Sequence, residues 1–290
     1  MKIDNIVFSC SEYFKDFWDI QSKIWKTKFN INPICLYYGK TPIKETYGEV
    51  IQFDYLNSRP EILQLQFQKF YYPTLFPDKT FIIGDIDQIP LQTEHFLENL
   101  ENVCDDSYAH FNYTLCAQMR NLSGDVYFNR GSYLNGGFDL PGHYHCAKGK
   151  YYNSLYFKNK TFENVLDYII SSNRYGMIKE DAQKNLNKQI HGTFWVAEEM
   201  YTSEYLWYGY KRGEIKNLHF KDYHIWNGKI DRVGNLRDAA GRWIPQWNGS
   251  NYVYDENKLK NKGYVDIHCH RPYFEQEKPM LKILETAQMI

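Results

Sequence analysis

Apolar and polar positions alternate along the N-terminal third of the chain in a pattern that predicts six elements. Residues 3–8 (IDNIVF) read as a first strand, closed by the small residues Ser9, Cys10 and Ser11, where a ligand can approach the backbone. A helix follows with Ser11 as N-cap; Phe14, Phe17 or Trp18, Gln21 to Ile24 and Trp25 recur at helical spacing and mark one face. Residues 33–38 (PICLYY) form a second strand that Gly39 breaks, and residues 49–53 (EVIQF) form a third. Ser58 then caps a helix with Pro60 in its first turn. Leu63, Phe67 and Phe70 fall at i, i+4 and i+7, so this helix lies on a sheet. Pro73 and Pro77 end it, and Phe81 opens the next strand. The order β-α-β-β-α-β is that of an open α/β sheet flanked by helices.

The strand that Phe81 opens is the most informative stretch of the chain. Phe81, Ile82 and Ile83 are a short apolar run suited to a strand buried on both faces. Gly84 ends the run, Asp85 and Asp87 follow, and Pro90 closes the turn. A parallel-type strand delivers such residues to the edge where open α/β sheets bind ligands. Two carboxylates this close repel, and a divalent cation is the usual reason to hold them together. Acidic residues also fill ordinary turns after strands, and a D-x-D triplet alone is a short pattern.

Farther on, residues 94–100 predict a short helix, 107–114 a strand, and 161–171 an amphipathic helix. Residues 118–150 are rich in glycine and aromatics, as expected of loops and short strands shaped around something. Residues 191–208 turn helical from about Trp195, and the chain ends in GYVDIHCHRPYF and a short helix. No internal repeat or low-complexity linker divides it. A single domain over residues 1–290 is expected, with a donor half to about residue 92 and an acceptor half beyond it.

Composition narrows the classes. A formal net charge of −1 leaves no electrostatic footprint for nucleic acid. The aromatic share of 18% is high, and Tyr and Trp planes suit the C–H faces of sugar rings. Six cysteines stand apart without a C-x-x-C pair, which argues against a disulfide scaffold or a structural zinc site. The N-terminus reads as a strand, and no apolar run approaches the roughly 20 residues of a membrane span. A cytoplasmic setting is expected, with no membrane span and no protein partner implied. A P-loop and a dinucleotide fingerprint are both missing from the sequence.

Four features stand in order: Asp85-Ile86-Asp87, the Gly136-Gly137 pair, Glu198-Glu199 at a helix start, and His268 with His270. In that order they resemble the common core of GT-A-type glycosyltransferases, which use nucleotide-sugar donors. The resemblance runs from the first strand to about Tyr273 and implies a Rossmann-like open mixed sheet and a metal-dependent transfer. It implies Asp87 as a direct ligand of Mn²⁺ or Mg²⁺, with Asp85 at the ribose or reaching the metal through water. His268 or His270 would complete the sphere; the i, i+2 spacing puts both on one face of an extended segment. Arg271, ahead of Pro272 and Tyr273, would hold the donor phosphates, and Ser9, Tyr13 and Ile86 would contact the donor.

The same resemblance implies a general base at Glu199 or Glu198, with Glu199 at the last position of the acidic pair. Glutamates in a helix's first turn also stabilise its dipole without catalysis. Gly136 and Gly137 would offer backbone amides to a sugar, and His143 would line the acceptor site. His145 and Cys146 lack a second ligand pair at finger spacing, so they are expected in the acceptor-site wall or the core. The implied activity is a hexosyl- or pentosyltransferase of carbohydrate biosynthesis, UDP-sugar favoured and inverting. A retaining enzyme of the same fold and a non-catalytic carbohydrate-binding protein are the alternatives. A nucleotidyltransferase would need a Gly-rich basic loop where residues 9–14 read SCSEYF.

Overall fold

The computed structural model describes residues 1–111, 119–122, 125–128, 144–172, 194, 197–221, 231–233, 235–237, 243–245, 252, 254–269 and 273–290. The predicted N-terminal order is present: β1 (Asn5–Ser11), α1 (Trp18–Thr27), β2 (Asn32–Tyr38), β3 (Glu49–Gln52), α2 (Glu61–Tyr71) and β4 (Thr80–Asp85). A 3-10 segment, Glu12–Phe17, joins β1 to α1. Next come β5 (Gln88–Pro90), α3 (Glu94–Glu101), β6 (Tyr108–Phe111), β7 (Met119–Leu122), β8 (Asp125–Phe128), β9 (His145–Lys148), α4 (Gly149–Tyr152) and α5 (Phe162–Ser172). The last part holds α6 (Ala197–Lys211), β10 (Leu218–Lys221), β11 (Asp231–Val233), β12 (Asn235–Arg237), β13 (Trp243–Pro245), α7 (Glu256–Lys260), β14 (Tyr264–His268) and α8 (Tyr273–Thr286).

Seven strands form the main sheet in the order β10-β6-β9-β4-β1-β2-β3. Only β9 runs antiparallel to its neighbours, β4 and β6. The fold is therefore an open, mostly parallel α/β sheet. Alternation along β1 and β4 sorts the core onto two faces. Ile6, Phe8 and Ile82 pack with α1, α3 and α8, while Val7, Phe81 and Ile83 pack with α2, α5 and α6. Leu63, Phe67 and Phe70 of α2 are fully buried, as their spacing predicted. Truncating Phe67 or Phe70 to Ala would cost about 3–5 kcal/mol.

Three local details differ from the sequence-based expectations. β1 continues through Ser9, Cys10 and Ser11 because these residues stay in register with Leu36, Tyr37 and Tyr38 of β2. Ser58 is not the cap of α2: it turns at φ 64°, and Pro60 occupies the N-cap position. The buried Gln64 side chain instead ties down the loop before the helix, accepting from Leu56 N and donating to the carbonyls of Leu56 and Arg59. The last helix, α8, spans 14 residues despite Pro279 inside it, not the short stub expected.

A second sheet, β11-β14-β5, abuts the first. Its strand β14 runs antiparallel to β5, pairing His268 with Gln88, Ile267 with Ile89 and Asp266 with Pro90. The chain thus leaves the main sheet at Asp85 and enters the small one at Gln88, with only Ile86 and Asp87 between. Gly84 is needed just before this junction: a Cβ there would lie 2.4 Å from Phe8 Cε1 of the adjacent strand. Among the described residues, no helix is long and apolar enough to cross a membrane.

Candidate active site

Asp85 sits at the C-terminal end of β4, beside Ser9 of β1 in register. Parallel partners in register face the same side of a sheet, here the side covered by α2. From α2, the buried Lys69 reaches Asp85, Nζ donating to Oδ1 at 2.5 Å. Gln88 Nε2 donates to the other oxygen, Oδ2, at 3.0 Å. The same Lys69 ammonium lies 2.9 Å from Glu198 Oε1, in the first turn of α6. One buried cation therefore joins the acidic turn to the helix that carries the acidic pair.

The electrostatics follow from that sharing. Burial alone would lower the Lys69 pKa, but Asp85 and Glu198 on either side hold it above the ordinary lysine value. Burial pushes the Glu198 carboxyl up to about 8, with Asp85 adding to the rise and Lys69 opposing it. Glu198 Oε2 and Ser9 Oγ are both buried without a hydrogen-bond partner among the described residues. The neighbouring Glu199 is half-buried, so of the two glutamates it is the more accessible.

Asp87 lies on the other side of the junction. Its carbonyl accepts from Cys269 N at 2.7 Å, extending the β5–β14 ladder past His268. This brings His268 Nε2 to 3.7 Å from Asp87 Oδ2. That gap is wider than a hydrogen bond and close enough for both atoms to reach one ion at about 2.0–2.6 Å from each. A carboxylate oxygen with an imidazole nitrogen suits Mn²⁺ or Mg²⁺, and such ions take remaining ligands from water and substrate phosphates. The pair therefore fits a substrate-completed metal site. No group of three or more potential ligands occurs among the described residues.

No family model and no curated protein matches the chain. Among solved structures, it is similar to the galactosyltransferase LgtC in complex with donor and acceptor sugar analogs. That likeness is 7% identical, covers 99% of this chain and 96% of the other, and has a TM-score of 0.45. A thymidylyltransferase-like chain from Bacillus anthracis follows at 8% identity, covering 90% and 94%, with TM-score 0.38. The glycosyltransferase GlyE of Streptococcus pneumoniae TIGR4 is 11% identical, covering 78% of this chain and 49% of that one, with TM-score 0.33. Likenesses this low carry no argument about the site, which rests on its own geometry.

Of the residues singled out from sequence, Asp85, Ser9 and Glu198 gather around Lys69, and Asp87 meets His268. Ile86 turns its side chain into the core at 5% exposure, so only its backbone faces the turn. Tyr13 is exposed in the 3-10 segment after β1. His145 and Cys146 are core residues; His145 Nδ1 is 2.7 Å from Tyr108 Oη. Gly136, Gly137, His143, His270 and Arg271 lie outside the described residues. Lys69, Gln88 and Gln21 were not foreseen. The only sequence signal of Lys69 is a long polar side chain beside the apolar stripe of α2, and that of Gln21 is a polar side chain within the stripe of α1.

Proposed function

We propose that this chain is a glycosyltransferase that moves a sugar from a nucleotide-diphosphate sugar, UDP-sugar favoured, to a hydroxyl of a glycan or other acceptor. The meeting of Asp87 and His268 at the C-terminal edge of an open α/β sheet carries the proposal. A polar residue from the acidic turn and one from the far end of the chain converge there without forming a hydrogen bond. A carboxylate oxygen and an imidazole nitrogen at this spacing can both reach one divalent ion.

Asp87 and His268 are the residues that would hold Mn²⁺ or Mg²⁺, with His270 as a further candidate. A divalent ion bound there supplies Lewis-acid neutralisation of the charge that grows on the departing diphosphate. Arg271 is the proposed partner of the donor phosphates. Lys69 fixes the Asp85 carboxylate, whose partly exposed edge can accept a hydroxyl of the donor. Ser9, Tyr13 and the Ile86 backbone are the proposed contacts for the nucleotide, and Gly136, Gly137 and His143, outside the described residues, the proposed contacts for the acceptor.

Glu199 is the proposed general base. It is the accessible member of the pair, and direct displacement needs a carboxylate within hydrogen-bond reach of the acceptor hydroxyl. Taking that proton in one step gives an inverting transfer. Glu198, anchored by Lys69, holds the first turn of α6 in place and so sets where Glu199 points. Incubation with a panel of nucleotide sugars, with and without Mn²⁺, tests the proposal through released nucleotide. Metal-dependent release with at least one donor is expected. Neither turnover nor binding of any donor, with or without metal, would contradict it.

A further inference from the structure

The junction between the two sheets poses a backbone problem. A chain that leaves one ladder and enters another within two residues gives up ladder partners in between, and buried carbonyls there need donors. One side chain from α1 lies against three of them, its two amide N–H donors shared among the three. Gln21, fully buried, points its Nε2 at Gln88 O (2.6 Å), Ile86 O (3.2 Å) and Asp85 O (3.4 Å). Its Oε1 accepts from Trp25 Nε1 at 3.1 Å. The indole N–H can only donate, so it fixes which end of the amide faces the turn. The three carbonyls bracket Asp87, from the last residue of β4 to the first of β5.

We infer that Gln21 is a positioning residue for the acidic turn: it sets the spacing of Asp85 and Asp87 and, through it, the approach of Asp87 to His268. The backbone part stands on the hydrogen bonds alone; the consequence for metal binding rests on the function proposed above. Gln64 of α2 is the natural control. It is equally buried and makes three hydrogen bonds to backbone, all to Leu56 and Arg59 and none to the acidic turn.

The experiment compares Gln21→Met and Gln64→Met in the full chain by two measurements. One is Mn²⁺ affinity with UDP present, read by electron paramagnetic resonance; the other is hydrogen–deuterium exchange of the peptide spanning residues 85–90. Gln21→Met is expected to weaken Mn²⁺ about tenfold or more, as loss of a ligand-orienting contact does, and to speed exchange in the turn. Gln64→Met should lower the melting temperature while leaving both readouts at wild-type values. If Gln21→Met does not fold, Gln21→His restores one N–H donor and should fall between wild type and no binding. Wild-type exchange in the turn of the Gln21 variant would overturn the inference, as would equal Mn²⁺ weakening by Gln64→Met. If wild type binds no Mn²⁺, the metal proposal fails, and the exchange comparison still decides the role of Gln21.

Discussion

Asp85 ends a strand of the seven-stranded sheet and has an oxygen on Lys69 and an oxygen on Gln88. Asp87, two residues on, has entered the orbit of the small sheet and sits 3.7 Å from His268, too far for a hydrogen bond. By spacing alone the two are equivalent carboxylates of one motif, and only the family resemblance sets Asp87 apart as the direct ligand. The folded chain separates them by which sheet each belongs to: the first is built into a buried charge network, and the second faces a partner across an ion-sized gap. What differs is not the side chain but the neighbours that the sheet junction supplies.

The variants that test this contrast differ widely in expected effect. Asp87→Asn should lose transfer by about 1,000-fold or more, since a metal's charge stabilisation is worth several kcal/mol. It should fold normally, which circular dichroism and a cooperative melt would check. Glu199→Gln should lower transfer by about 100- to 10,000-fold with donor binding intact, measured by calorimetry beside a transfer assay. Normal transfer in this variant would remove Glu199 as base.

On the Lys69 side the expected loss is one of stability. Lys69→Met removes the cation between the buried Glu198 and the partly exposed Asp85 and, above pH 8 where Glu198 ionises, should cost about 3–5 kcal/mol in urea unfolding. At the same pH, adding Glu198→Gln removes one of the charges and should recover more than half of that cost. If the double variant is no more stable than the single, Lys69 does not balance Glu198. The smallest effect is on pH dependence. The folded Glu198 carboxyl titrates near 8, above its ordinary value of 4.5. The folded state therefore binds more protons than the unfolded one between those values, and this group's contribution to stability falls as pH rises across the window. Glu198→Gln fixes the neutral form and should flatten that part of the stability profile.

The asymmetry was only partly legible in the sequence. Asp85, Asp87 and His268 stand at the ends of apolar runs, where a polar residue is conspicuous, and the runs themselves predict the order of elements along the N-terminal third. The α2 stripe of Leu63, Phe67 and Phe70 showed one buried face. It could not show that the loop before the helix covers Gln64, that Gln68 meets Tyr38 of β2, or that α6 brings Glu198 onto Lys69. Periodicity reports one apolar face and is silent about a second covering layer. Gln21 was hidden for a related reason. It was counted within the helical stripe of α1, and nothing local announces that its amide meets a turn more than sixty residues away. The same blindness misplaced the cap of α2: Pro60 holds the N-cap position without a side-chain cap, and Gln64 ties down the loop before the helix.

The central claim is that Asp87, and not Asp85, is the carboxylate that binds the ion. Titrating Mn²⁺ into wild type, Asp85→Asn and Asp87→Asn with UDP present, followed by electron paramagnetic resonance, tests it directly. The account predicts that Asp87→Asn loses saturable binding while Asp85→Asn retains most of it. Equal loss in both variants, or loss confined to Asp85→Asn, would contradict it.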